Sequence, residues 1–251
     1  MSDHPDFLRS PHNIFEPDPR SVGFVILGKD GFQPVRLEDQ HASIAKIELH
    51  NGVPEKVVAK FETAKNLNLF AWYVYRFHVA ARSHAYECLE LALKLRFKDE
   101  LYYLEANRLH AQHSNKAKSN PHAKPYKLMS KEKYFPKLSL LLKHAIETGA
   151  IRNENFSEWQ QRTKMRAHSR KHHEQIEEMA RLGLSEMLTD DSEIEITDAD
   201  RDHDYVSEIA SKIPSLRNVY AHGTTSLDHK SLSDLRLTAE IINQIFPTRG
   251  V

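Results

Sequence analysis

Ala80-Ala-Arg-Ser-His-Ala-Tyr-Glu-Cys-Leu-Glu-Leu-Ala-Leu-Lys-Leu95 brings apolar side chains back at three- and four-residue steps, with Ala81, Ala85, Cys88, Leu91 and Leu95 in one series. That spacing lines one face of an α-helix. The series runs back through Leu67, Phe70, Ala71, Val74 and Phe77, so the sequence predicts one amphipathic helix from Pro54 to about Lys98. With ~35 residues at ~1.5 Å each it would reach ~50 Å, more than a small domain needs for its own core. A helix of that length suits extension into a neighbouring subunit. Arg76, Arg82 and Glu87 border the apolar face and read as surface ion pairs.

Beyond this helix the composition changes. Asn107 to Lys133 carries His110, His113 and His122 among six lysines, with Pro121 and Pro125. It reads as a basic, mobile loop, either a solvated linker or a phosphate-contacting segment. Its histidines have no zinc-ligand spacing and no accompanying cysteines. Tyr134 to Ile151 returns to helical period, with Leu138, Leu141, Leu142 and Ala145 inward. Phe156 to Leu188 is helical but polar, and its middle is basic. There Arg162, Lys164, Arg166, Arg170 and Lys171 form either a solvated insertion or a surface for an RNA backbone. An acidic run follows from Glu186 to Asp204, close enough in sequence to screen the basic helix. Its Asp198-x-Asp200-x-Asp202 alternation fails as a calcium loop, because His203 stands in the glycine position and Ile209 in that of the bidentate Glu. Helix capping by Asp202 or Asp204 is the expected use. Two more apolar faces follow, one from Val206 to Leu216 with Pro214 bending it, and one from Leu232 to Phe246.

Upstream, the first twenty residues, with four prolines, read as a tethered arm. Val22–Leu27, the turn Gly28–Gly31 and Phe32–Leu37 then read as a hairpin with Pro34 limiting its second strand to an edge, and residues 38 to 50 as a short helix. The expected fold is mainly α: an antiparallel helical bundle over 61–251, with a polar helical insertion at about 155–200 and a small N-terminal α/β appendage over 1–60. Lys plus Arg equals Asp plus Glu at 35 each, so no net charge advertises a nucleic-acid partner and local patches must carry that role. A lone cysteine, Cys88, excludes an intrachain disulfide framework. With no signal-like leader and no apolar run of membrane-spanning length, the expected location is the cytoplasm.

Chemistry concentrates in Ser215-Leu-Arg-Asn-Val-Tyr-Ala-His-Gly223. Arg217 supplies a permanent guanidinium, Asn218 an amide that donates and accepts, and His222 an imidazole able to move protons near neutral pH. Together they suit a phosphate-centred reaction that needs no metal and no cofactor. Spacing alone proves little: with 16 Arg and 16 His in 251 residues, Arg-x4-His arises by chance about once. It occurs from Arg36 to His41, Arg108 to His113 and Arg217 to His222. Only the last has a polar residue after the Arg, an apolar-periodic helix before it and a Gly after the His. The bland alternative is that Arg217 and Asn218 bond locally and His222 caps a helix C-terminus, where a cation is favoured.

Leu216-Arg217-Asn218-x-x-Ala221-His222-Gly223 resembles the Arg-polar-x3-His signature of the HEPN superfamily (higher eukaryotes and prokaryotes nucleotide-binding domains). Ala80-Ala81-x4-Tyr86 through Leu93 resembles the first long helix of that fold, and Leu138 to Ile151 its next core helix. The resemblance covers about residues 60 to 247 without the insertion. It implies a homodimer with metal-independent endoribonuclease activity at a site shared by two motif copies, in toxin or phage-defence roles, with an antitoxin protein as a further partner. Arg217 would bind the scissile phosphate, His222 would act as acid or base on the 2′-hydroxyl or leaving oxygen, and Asn218 would hold either in place. Residues five apart on an ideal helix point ~140° from each other, so Arg217 and His222 of one chain converge only with a frayed last turn or across a dimer. A non-catalytic helical dimer that binds nucleotide, nucleic acid or protein is the other expectation.

Overall fold

The structure is a computed structural model; it describes residues 5–28, 31–119, 129–186, 194–221 and 227–248. Those residues are mainly helical, with one two-stranded sheet among them. Strands β1 (Val25–Gly28) and β2 (Gly31–Pro34) pair antiparallel, with Val25 opposite Pro34 and Leu27 opposite Phe32. Helix α1 (Leu37–Ala45) leads to α2 (Glu55–Phe70), which packs on α3 (Phe77–Ser119). Helix α3 is the spine: α4 (Leu138–Glu147), α7 (Tyr205–Ala221) and α8 (Ser231–Ile245) all pack on it, and α4 also packs on α7.

The single helix expected from Pro54 to Lys98 is two. The chain leaves helix between Phe70 and Phe77. Trp72, Tyr73, Val74 and Tyr75 are aromatic or β-branched and gain little from helical backbone. The N-terminal arm satisfies the freed groups: the Asp18 N–H donates to the Trp72 carbonyl at 2.9 Å, the Tyr75 N–H donates to the Asp18 carboxylate at 3.3 Å, and the Ser21 hydroxyl donates to the Ala71 carbonyl at 3.3 Å. Asp18 is fully buried. The arm has little regular structure, as its prolines dictate, yet it is firmly seated.

At its other end α3 runs further than expected, through the first part of the stretch read as a mobile loop, and reaches ~63 Å. Arg108, Leu109, Ala111, Gln112 and Lys116 all favour helix, and nothing from Asn107 to Ser119 breaks one before Pro121. Helix α4 starts later than the apolar period suggests, because Pro136 holds the chain extended ahead of Lys137.

Apolar faces of α2, α3, α4, α7 and α8 meet in one core that includes Phe61, Leu89, Leu93, Phe97, Leu141, Ile213, Leu235 and Ile241. At Gly52 the backbone lies so close to the Pro247 carbonyl that a Cβ would sit 2.0 Å from its oxygen, so the loop before α2 closes on the end of α8 only with glycine there. Helix α5 (Ser157–Leu182) ends at Gly183, whose φ of 68° is the left-handed stop. The short α6 (Asp198–Arg201) follows, and the Asp204 carboxylate accepts from the Ser207 N–H at 3.0 Å, capping α7 as expected.

Arg82, expected at the surface, is 4% exposed. Its Nε donates to the Asp234 carboxylate and its Nη1 to Asp228 at 3.0 Å, while the guanidinium stacks on Tyr220 with its centre 4.4 Å from the ring. The Tyr86 hydroxyl donates to the other Asp234 oxygen at 2.9 Å. Burial opposes charge on Arg82, but the Asp234 carboxylate beside it holds the guanidinium above its usual pKa. The periodicity marked this edge of α3 without showing that α8 would bring a carboxylate to it.

Candidate functional site

Arg217 and Asn218 lie in the last turns of α7, and both line a cleft of ≈ 270 Å³. Glu90 of α3, Pro214 of α7 and Lys137, Leu138 and Ser139 at the start of α4 form its other walls. Pro214 has no N–H, so α7 gives up one backbone bond in the turn that faces the cleft.

Glu90 sets the attitude of Arg217. The Nε and Nη2 of Arg217 both lie 3.1 Å from one oxygen of Glu90, and the other oxygen accepts from Lys94 at 2.6 Å. The Glu90 side chain is mostly buried and that of Arg217 one-third exposed, so the pair is fixed from the protein side and open on the cleft side. Asn218 is exposed, and Lys137, the N-cap residue of α4, is exposed across from it. A guanidinium, an ammonium, an amide and a hydroxyl thus face one open space. That donor set favours an anion such as a phosphodiester. His222 lies outside the described residues.

The described residues flanking 222–226 are anchored on Arg82: Tyr220 lies under its guanidinium and Asp228 accepts from its Nη1. Tyr220 also stacks on Tyr86, with rings 6.2 Å apart and 9° from parallel. Nearby, His229 meets Phe24 of the arm at 5.0 Å. Burial, together with His229, pushes the pKa of His78 down to about 4, and the His78 ring shares a 2.6 Å hydrogen bond with Ser231. Tyr220 and Asp228 therefore both belong to the buried polar cluster on α3.

The basic residues of α5 lie elsewhere and are largely engaged. Arg162 pairs with Glu158 at 2.9 Å and with Glu208 at 2.8 Å. Arg166 donates to the Ala199 carbonyl at 3.0 Å. Arg170 donates to both oxygens of Asp200, at 3.2 and 3.0 Å, and to the Glu195 carbonyl at 2.8 Å. The Oδ2 of Asp200 also accepts from the N–H and hydroxyl of Thr197, each at 2.9 Å. The hydrogen bond from Arg170 holds its carboxyl well below the usual range. Lys164 is exposed and Lys171 partly so. Helix α5 meets α7 at Tyr205 and Glu208, ~14–18 Å along α7 from Arg217, so these cations do not join the cleft.

Glu90 and Lys137 were absent from the sequence-based candidates. Each is an ordinary charged residue on its own helix, and only tertiary packing brings it beside Arg217. No group of His, Cys, Asp and Glu capable of holding a metal occurs among the described residues, and no helix among them is long and apolar enough to cross a membrane. Compared with known proteins, the chain matches no family model, no curated protein and no solved structure.

Proposed function

We propose that the chain is a metal-independent endoribonuclease of the HEPN type, working as a homodimer on RNA. The observation that carries the reading is the convergence of Arg217 and Asn218 on one open cleft, with Arg217 oriented from behind by Glu90. A guanidinium held that way stabilises the negative charge that develops on a phosphodiester as a 2′-hydroxyl attacks. His222, four residues beyond Asn218, would take the proton from that hydroxyl or give one to the leaving 5′-oxygen. The attacking oxygen forms a bond to phosphorus as the phosphorus–5′-oxygen bond breaks, leaving a 2′,3′-cyclic phosphate and a 5′-hydroxyl. No metal or cofactor takes part in that sequence. A second copy of the chain would bring a second motif to the same strand, and a toxin or phage-defence role with a paired antitoxin is the biological setting the resemblance suggests.

The test is incubation with single-stranded RNA in excess EDTA, with the product ends identified by mass. Cyclic-phosphate ends from RNA, and an intact strand when all sugars are 2′-deoxy, are the expected results. Intact RNA, or cleavage of the deoxy strand as well, would sink the reading.

A second reading has its own observation. Two of the Arg217 donors are already spent on Glu90, as they would be in a helical module that binds nucleotide, nucleic acid or protein without cutting. Binding of RNA with no cleavage would select it.

A further inference from the structure

The cleft at Arg217 continues into a second hollow. Ser139 lines both, and the second, of ≈ 320 Å³, is bounded by Lys143 and Glu147 of α4 and by Ser207 and Ser211 of α7. The two helices run antiparallel: the start of α4 lies against Pro214–Asn218, and its last turns lie against Ser207–Ser211. The hollows are therefore two stations of one groove. From Asn218 to Ser207 it extends ~16 Å along α7, enough for a few nucleotides of extended strand. Packed helices have axes only ~8–10 Å apart, so the groove between them takes a single strand and excludes a duplex.

The α4 side of its lining suits a phosphate backbone, while Ile146 and Ala210 form an apolar floor in the second hollow. Lys137 and Lys143 stand along the α4 side, ~9 Å apart along the helix, with the hydroxyl of the exposed Ser139 between them in sequence. Among the described residues no aromatic ring lines either hollow, so they offer base stacking no platform here. Among the described residues Glu147 is the one carboxylate that lines the second hollow. It meets Lys143 at 3.6 Å with both side chains more than 60% exposed, a pair so weak and solvated that exchange for a phosphate costs little.

We infer that the α4–α7 groove is a sequence-tolerant track for single-stranded RNA, in which Lys137 and Lys143 hold phosphates flanking the one at Arg217. The inference rests on the nuclease reading for its purpose, but it is tested by binding alone. Fluorescence anisotropy with a labelled, uncleavable 2′-O-methyl single strand would be recorded over a range of salt for wild type, Lys137→Ala, Lys143→Ala and the control Lys56→Ala on the exposed face of α2. The expected result is binding by wild type and by Lys56→Ala, affinity several-fold weaker in each groove variant, and a salt slope smaller by about 0.7 for each lysine lost. Duplex RNA should compete poorly. No binding by wild type, or groove variants with wild-type affinity and slope, would overturn the track. Weakened groove variants alongside a wild type that cuts nothing would leave the track standing and remove the nuclease; active cutting with unchanged groove variants would do the reverse. Both lysines are exposed, so unaltered melting of the variants is expected and separates binding loss from misfolding.

Discussion

Two arginine–carboxylate pairs meet α3 about two turns apart, ~12 Å along the helix, and they are built for opposite ends. Arg82 is closed off: two carboxylates and a tyrosine ring surround its guanidinium, and the residue is 4% exposed. Arg217 approaches the same helix from α7, meets Glu90 edge-on, and keeps a third of its side chain open to a cleft. A buried guanidinium paired with two carboxylates contributes to a unique packing arrangement. One fixed on a single side is ready to receive an anion.

Stability should separate the pairs most sharply. Asp234→Ala leaves Arg82 charged and buried beside a lost partner, and the expected cost is ~3–5 kcal/mol in chemical denaturation. Arg217→Ala removes a partly solvated pair and should cost no more than ~1 kcal/mol. Equal losses would show that the two sites are not different in kind.

The polar cluster around Arg82 also predicts a pH response. Burial holds His78 neutral down to about pH 4, whereas in the unfolded chain it takes up a proton near its ordinary value of 6.5. Between those values the unfolded state binds the extra proton, so stability falls as pH drops from about 6.5 to 4, by up to ~3 kcal/mol, and this contribution levels off below. His78→Gln should flatten urea-denaturation stability across that window. An unchanged slope would exclude His78 as its source.

A smaller effect is expected on α5. Asp200→Asn weakens the contact with Arg170, and hydrogen exchange should quicken over residues 194–201 and the facing turns of α5 with little change in global melting. In the wild type, acid should do the same, because the depressed Asp200 pKa places loss of that carboxylate charge below the usual range. Unaltered exchange in the variant would mean that the acidic segment is not held by this pair.

The helices were legible in the sequence because their apolar periods are strong, and Arg217 and Asn218 stood out because they lie together in a motif. What depends on remote partners did not stand out. The break before Phe77 is stabilised by Asp18 of the arm, and the burial of Arg82 depends on Asp234 of α8. The engagement of Arg162 and Arg170 depends on Glu208 and Asp200. Glu90 and Lys137 enter the cleft through packing that no local pattern encodes.

The most direct measurement is RNA cleavage in EDTA by wild type, Arg217→Ala and His222→Ala, each checked for an unchanged melting temperature. Cutting by wild type alone, with both variants folded and inactive, is the result expected of an open pair that serves chemistry. Intact RNA with wild type, or undiminished cutting by Arg217→Ala, would contradict it.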